Sequence, residues 1–123
     1  LCEDCKTADK TAADLEARIK KFLNGLPKRI EKSKYGKIEI FKPKGCSKCH
    51  GIGYKGRVAV FELLEVRDEM EAMITSAISE AEITRQAMKQ GMVTMQQDGI
   101  LKVISGVTTF EEVEGVTGPL KWG

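Results

Sequence analysis

The residues of this chain best suited to chemistry are four cysteines, which occur as two Cys-x-x-Cys pairs. The pairs are Cys2 with Cys5 and Cys46 with Cys49, separated by about forty residues. Two thiolates three residues apart on a tight turn reach one side of a tetrahedral zinc ion, and a second such turn supplies the other side. The spacing therefore predicts one closed zinc site with all four sulfurs as ligands.

Other cysteine chemistry remains open at this level. One Cys-x-x-Cys can be a redox centre, four cysteines can form two disulfides, and the sequence Cys46 to His50 matches the haem attachment signature Cys-x-x-Cys-His. Haem would leave the first pair unused. Disulfides need an oxidising compartment, whereas a chain with 31% charged residues and no long apolar stretch indicates a cytosolic protein with reduced thiols. Structural zinc is the preferred interpretation.

Charge divides the chain into unlike halves. Residues 1–57 contain 15 Lys and Arg against 7 Asp and Glu, whereas residues 58–123 contain 5 against 11. A basic zinc module could bind a polyanion, but Lys6, Lys44 and Lys48 could instead offset the negative charge of zinc held by four thiolates. The length of 123 residues allows one domain or two small units that share a core, and a start at Leu1 without methionine suggests a fragment.

The sequence between and after the cysteine pairs predicts the elements that position them. Apolar residues at helical spacing predict a helix between the pairs, capped by Thr11. Alternation over 38–41 predicts a strand, and the β-branched run 57–64 predicts a central strand paired with it. Gly51 and Gly53 are expected to let backbone amides turn toward sulfur.

After Val66 the sequence predicts four short helices with apolar stripes that must pack together or on a partner. Their expected N-terminal caps are Asp68, Ser79, Thr94 and Thr109. The predicted fold class is α+β, with a small zinc-stapled β-hairpin or sheet unit and its inserted helix at 1–66. A bundle of about four short helices follows at 67–117, and a weakly ordered tail at 118–123.

The order of these motifs resembles the C-terminal region of the secretion ATPases of type II secretion and type IV pilus assembly. The resemblance covers nearly the whole chain and rests on Leu1-Cys-x-x-Cys, Gly45-Cys-x-x-Cys-x-Gly-x-Gly-Tyr54-x-Gly56-Arg57, Glu62-Leu63-Leu64, Ala87-x-x-x-Gly91-Met92, Asp98-Gly99-x-x-Lys102-Val103 and Gly106-x-Thr108-Thr109-x-Glu111-Glu112-Val113. It implies that Cys2, Cys5, Cys46 and Cys49 are structural zinc ligands.

The resemblance also implies a larger protein with its own chemistry. Members of this family are hexameric motors in the cytoplasm, peripheral to the bacterial inner membrane, that use ATP and Mg²⁺ to drive pilus or pseudopilus assembly. The phosphate-binding loop Gly-x-x-x-x-Gly-Lys-Ser/Thr is absent from this sequence, and the family's catalytic motifs lie upstream of the matched region. We therefore expect no catalytic or cofactor-binding residues here and no ATP hydrolysis by this chain alone.

The resemblance further defines the expected partners. They are the ATPase core of the longer protein, neighbouring subunits and an inner-membrane platform protein, with no membrane insertion and a monomeric isolated chain. A free-standing zinc ribbon that binds nucleic acid through the basic half is the main alternative, although nucleic acid is not the expected partner. The stretch from Cys46 to Gly53 also matches one repeat of the DnaJ-type chaperone zinc region, but the first pair lacks the glycines. The roles of Arg57 and Glu62 stay open between interdomain contacts and local ones, and the role of His50 also stays open.

Overall fold

The computed structural model describes residues 1–76 and 78–122 and has an α+β fold. In chain order, the elements are strand β1 (Thr7–Asp9), helix α1 (Ala13–Gly25), strand β2 (Ile40–Lys42), and helices α2 (Asp68–Thr75), α3 (Glu80–Lys89), α4 (Met95–Ile104) and α5 (Phe110–Thr117). Short 3₁₀ turns occur at Lys32–Tyr35 and Ser47–Cys49. The predicted class, with a helix between the cysteine pairs and four helices after them, is confirmed.

The small sheet pairs different strands from those that the sequence predicted. β1 and β2 are antiparallel, with Thr7 opposite Lys42 and Asp9 opposite Ile40. Residues 57–64 form no strand in the described part of the chain, so the predicted pairing of this run with 38–41 is wrong here. β1 directly follows the first cysteine pair and β2 precedes the second. Convergence of the two pairs therefore places these flanking segments side by side, although β1 lacks an apolar strand pattern.

The main core lies where α1 and β2 pack against α4 and α5. Helix α1 contributes one apolar stripe, because positions three and four residues apart share a helix face. The buried members of this core are Ile19, Phe22, Leu23, Leu26, Ile40, Ile100, Leu101, Val103, Ile104 and Val113. The core thus combines residues from both sides of position 66, in agreement with two small units that share a core. The division at 66 itself stays a prediction.

Helices α2 and α3 pack on each other through a second, smaller cluster of Met70, Ala87 and Met92, with Ile83 beside it. The four later helices therefore divide into an α2–α3 pair and an α4–α5 pair on the main core, instead of sharing one bundle core. Helices of 8 to 10 residues bury only a short stripe each, and the stripe of α1 joins those of α4 and α5 in the main core.

Capping residues set most of the helix starts. Ser79, Thr94 and Thr109 each accept a hydrogen bond from a backbone amide three residues later, as predicted. The predicted caps Thr11 and Asp68 are wrong, because Ala12 and Arg67 occupy the capping positions without a side-chain hydrogen bond.

The last described residues of the predicted 118–123 tail pack against the protein, and Gly123 lies outside the described residues. The indole ring of Trp122 lies 5.4 Å from the ring of Phe110 and 6.4 Å from that of Phe22, the latter edge-on. Aromatic pairs at such distances are favourable contacts. Within residues 1–76 and 78–122, no helix is long and apolar enough to cross a membrane.

Candidate metal centre

The structure brings the four cysteine sulfurs into one group, with every Sγ atom within 4.8 Å of every other. Cys2 and Cys49 are buried, and Cys5 and Cys46 are partly buried. Each pair lies on a tight turn, since the amide of Cys5 donates to the Cys2 carbonyl and the amide of Cys49 donates to the Cys46 carbonyl. The four cysteines are therefore positioned to hold a metal ion.

The sulfur geometry fits a tetrahedral ion. The Sγ–Sγ distance is 4.0 Å for Cys2 and Cys46, 3.8 Å for Cys5 and Cys49, and 3.7 Å for Cys46 and Cys49. Four thiolates about 2.3 Å from zinc are about 3.8 Å apart along the edges of the tetrahedron. A disulfide needs about 2.05 Å between sulfurs. The arrangement thus suits a zinc-type centre, in which four thiolates would fill the coordination sphere.

Gly53 connects the two cysteine pairs through its backbone. Its amide donates to Sγ of Cys49 at 3.2 Å, and its carbonyl accepts a hydrogen bond from the amide of Cys2 at 2.9 Å. Its φ of 83° is in the left-handed region, and a Cβ atom here would lie 2.5 Å from Cβ of Pro43. The expected amide-to-sulfur contact is present at Gly53, whereas the Gly51 amide donates to the Cys46 carbonyl instead.

Burial and hydrogen bonds shift the pKa values of the Cys5 and Cys49 thiols in opposite directions. Burial raises the pKa of Cys5 to about 12. Burial also acts to raise the pKa of Cys49, but donation from the amides of Cys46 and Gly53 outweighs it and lowers the pKa to about 6. The protein backbone thus favours the Cys49 thiolate, whereas burial disfavours the Cys5 thiolate. Metal binding at this centre would therefore release protons.

The lysines near the centre pair with carboxylates of the first cysteine turn. Nζ of Lys48 lies 2.6 Å from Asp4, and Nζ of Lys6 lies 2.7 Å from Glu3. The hydrogen bond with Asp4 raises the pKa of Lys48, and the nearby Cys46 and Cys2 act in the same direction. Lys48 therefore interacts with a carboxylate as well as with the thiols, whereas Lys6 contacts Glu3 and the Gly106 carbonyl. The Asp4–Lys48 pair also links the two cysteine turns directly.

Two polar contacts connect the metal centre to the later helices. Lys6 donates to the carbonyl of Gly106, which follows α4, at 2.9 Å. The hydroxyl of Tyr54 lies 3.1 Å from Oγ1 of Thr109, the capping residue of α5. This hydrogen bond joins the segment after the second cysteine pair to the start of α5. The centre is thus attached to the main core and not only to the β1–β2 sheet.

The remaining residues of interest lie outside the sulfur group. His50 is exposed with φ of 54°, and the group of ligand atoms contains the four cysteines without it. Arg57 is exposed. Glu62, also exposed, accepts a hydrogen bond from the amide of Met95 at the start of α4, at 3.2 Å. Glu62 therefore makes a local contact with a helix N-terminus, which no spacing in the sequence had indicated.

The fold and the cysteine group define this chain as a small α+β tetracysteine module. The family model for the type II/IV secretion system protein matches residues 1–115. The chain belongs to this family.

Several proteins similar in sequence to this chain are named as type IV pilus assembly ATPases or type II secretion ATPases. The type IV pilus assembly ATPase PilB of Thermus thermophilus is 35% identical over 92% of this chain, and PilB of Myxococcus xanthus is 33% identical over 97%. The type II secretion system ATPase E of Vibrio cholerae is 32% identical over 95%. The chain spans 12%, 20% and 21% of the lengths of these three relatives.

Proposed function

We propose that this chain is the C-terminal zinc-binding module of a hexameric ATPase for type IV pilus assembly or type II secretion. The observation that carries the proposal is the coincidence of a family match over residues 1–115 with four converging sulfurs inside the matched region. The module would have a structural and interaction role, and the ATP-hydrolysing residues would belong to the longer protein.

The proposed role of the zinc ion is structural. Four thiolates leave zinc no open position for water or a substrate, so the ion supplies crosslinking and not Lewis acid chemistry. The cysteine ligands would join residues 2–5 to residues 46–49. The Gly53 backbone and the Asp4–Lys48 pair support the same junction. In the longer protein, this junction would fix the start of the module against the turn that precedes residues 57–66.

The proposed partners follow from the size of the relatives. This chain spans only 12% to 21% of the length of three relatives. We therefore expect the module to be one part of a larger ATPase. Its contacts would be with the ATPase core of the same polypeptide, with neighbouring subunits of the hexamer and with an inner-membrane platform protein. The assembly would act in the cytoplasm at the bacterial inner membrane, and the isolated chain would be a monomer.

An ATPase assay tests this proposal. The longer gene product should hydrolyse ATP with Mg²⁺, and the 123-residue chain should show no turnover above that of a variant with all four cysteines replaced by serine. The absence of turnover by the longer product would contradict the proposal, as would turnover by the short chain. Salt-dependent retention of DNA or RNA by the short chain would favour a nucleic-acid-binding zinc ribbon instead.

A further inference from the structure

A cavity of about 410 Å³ lies where the end of α1 meets the end of α3. Its walls include Gly25 at the end of α1 and Met88 in the last turn of α3. The two segments approach closely, since a Cβ atom at Gly91 would lie 3.4 Å from Cβ of Pro27 and 3.8 Å from Nε of Arg29. Small-molecule sites in proteins have volumes of about 300 to 1,000 Å³. The cavity is therefore large enough for a small ligand.

The charged residues that line this cavity are all basic. They are Lys28, Arg29 and Lys89, and no Asp or Glu of the described chain lines the cavity with them. Within residues 1–76 and 78–122, none of the three is within ion-pair distance of a carboxylate. The hydrogen bond with Arg67 lowers the pKa of Glu65, and Arg29 adds only a smaller effect. The cavity thus concentrates positive charge.

The helix dipoles account for only part of this charge. Each helix C-terminus carries the equivalent of about half a negative elementary charge, so the ends of α1 and α3 offset about one of the three cations. The end of α1 also has a cation of its own, because Nζ of Lys32 donates to the Asn24 carbonyl at 3.0 Å. The surplus positive charge favours an anionic ligand.

The side chain of Gln90, which also lines the cavity, restricts the kind of anion. Its Nε2 and Oε1 atoms are buried, and neither has a hydrogen-bond partner in the part of the chain that the structure describes. An unpaired buried polar group costs free energy. Nε2 needs an acceptor and Oε1 needs a donor. A ligand that satisfies this amide therefore offers both kinds of group.

A phosphate group that carries a proton meets these requirements. One of its oxygens can accept from Nε2 of Gln90, its P–OH group can donate to Oε1, and its other oxygens can accept from the lysines and the arginine. Carboxylate and sulfate ions are acceptors only at neutral pH and would leave Oε1 unpaired. Phosphodiesters, such as those of nucleic acids, also have no P–OH group.

We propose that this cavity binds a hydrogen-phosphate group, either as free inorganic phosphate or at the end of a small phosphate monoester. Lys28, Arg29 and Lys89 would neutralise the anion, and the amide of Gln90 would select its protonated form. The site lies apart from the four cysteines and does not require the ATPase core. It therefore goes beyond the proposed function and can be tested independently.

Thermal unfolding in two salts tests the site. Phosphate and sulfate both stabilise proteins by exclusion from their surface, so sulfate at equal ionic strength is the matched control. The Tm should be higher in phosphate, with a difference that increases with phosphate concentration as expected for one bound ligand. We expect this difference in both the 123-residue chain and the longer gene product. Equal Tm values in the two salts would overturn the proposal. A difference confined to the short chain would also overturn it, because the longer protein would then cover the cavity.

Substitution of Gln90 separates a ligand site from an ordinary structural role. Gln90→Met keeps a side chain of similar length but removes both unpaired polar atoms. It should raise the Tm in sulfate and abolish the additional increase in phosphate. A variant that lowers the Tm equally in both salts, with the difference between the salts preserved, would contradict the assigned role of Gln90.

A pair of lysine substitutions separates local binding from general attraction of anions. Lys89→Gln should weaken the binding of inorganic phosphate about 10-fold, since it removes one charge-assisted hydrogen bond. Lys10→Gln removes an equal charge from an exposed residue outside the cavity and should leave the affinity unchanged. Equal losses in calorimetric titrations of the two variants would mean an adventitious ion only and would overturn the site.

NMR spectra of the chain locate the bound anion. Phosphate should shift the side-chain amide of Gln90 and the backbone amide of Gly91, whereas sulfate should not. Shifts confined to residues outside the cavity would refute the proposal. Titration with glycerol phosphate then identifies the source of the group. Tighter binding than that of inorganic phosphate would indicate a small monoester, and weaker binding would indicate the free ion.

Discussion

At the scale of single residues, Gly53 contacts both cysteine turns of the metal centre. Its amide contacts Sγ of Cys49, its carbonyl contacts the amide of Cys2, and Pro43 fills the space beside its Cα atom. A side chain at this position would disturb both cysteine turns at once, because the left-handed backbone and the close approach of Pro43 both require glycine.

We predict that Gly53→Ala weakens the metal centre more than Gly51→Ala does. Both glycines have positive φ, but a Cβ atom at Gly51 would have no neighbour within 4 Å. Gly51→Ala should therefore lower the free energy of unfolding by only about 1–2 kcal/mol, the cost of a left-handed backbone at alanine. Gly53→Ala should lower it by about 1–3 kcal/mol more, because its Cβ atom would also overpack against Pro43. Chemical unfolding at saturating zinc measures the difference, and equal losses for the two variants would refute this role of Gly53.

The convergence of the four sulfurs could be predicted from sequence, because two Cys-x-x-Cys turns without a spare cysteine fit one tetrahedral ion. The expected proximity is observed, whereas the identity of the metal stays a prediction. The partners of Lys48 and Glu62 could not be predicted in this way. Lys48 pairs with Asp4, 44 residues away, and Glu62 accepts from the Met95 amide, 33 residues away, so both contacts depend on the fold.

At the scale of helices and strands, the packing of α4 on α5 depends on a residue without a side chain. Gly99 is buried inside α4, and a Cβ atom there would lie 2.6 Å from Cγ1 of Val113 in α5. Glycine in a helix interior normally reduces stability relative to alanine by up to about 1 kcal/mol. Its presence here is therefore explained by the close approach of the two helices.

We predict opposite effects of alanine at two helical glycines. Gly99→Ala should destabilise the protein by on the order of 1–2 kcal/mol, because overpacking exceeds the gain in helix propensity. Gly115→Ala in α5 should be neutral or stabilise by up to ~1 kcal/mol, since a Cβ atom there would have no neighbour within 4 Å. Thermal unfolding provides the comparison. Addition of Val113→Ala should reduce the effect of Gly99→Ala, and strictly additive losses would argue against direct contact.

The start of α3 should respond to pH through Glu82. Hydrogen bonds from the Ser79 side chain and backbone lower the pKa of Glu82 below its ordinary value of 4.5. A lowered pKa in the folded state means that this carboxylate stabilises the fold fully above the ordinary value. The contribution disappears as the pH falls through the lower, folded-state value.

Glu82→Gln should therefore lower the Tm at pH 7, and its difference from the wild type should shrink as the pH falls below 4.5. Glu80→Gln is the control, because it removes an equal charge from the same first turn without altering the Ser79–Glu82 capping box. Subtracting the wild-type Tm at each pH removes effects common to all variants, such as acid release of metal. A Tm difference independent of pH for Glu82→Gln would contradict the assigned role.

Helix positions were more predictable than strand pairing, because the contacts that start a helix lie close together in the sequence. Ser79, Thr94 and Thr109 accept hydrogen bonds from amides three residues away, so the relevant information lies within one helical turn. The strand β1 instead forms because cysteine pairs distant in sequence converge. Residues 57–64 have strand composition but no partner strand in the described chain, so composition alone gave the wrong pairing.

At the scale of the whole molecule, the metal centre and the helices are parts of one packed structure. Ile19 of α1 and Ile40 of β2 belong to the same core as Ile100 of α4 and Val113 of α5. Loss of the metal should nevertheless affect β1 and the cysteine turns first, because they lie beside the sulfurs. The α4–α5 core should persist longer, because its apolar contacts do not involve the sulfurs.

The most direct test of the central claim is the metal content of the purified chain, measured by elemental analysis together with a count of free thiols. We predict about one zinc ion per chain, loss of that ion in Cys46→Ser, and full retention in the control His50→Ala. The Cys46→Ser variant should also exchange its amides faster over residues 38–56 than in the α4–α5 helices. A chain that contains no zinc and two disulfides, or a Cys46→Ser variant with unchanged zinc content and Tm, would contradict the account.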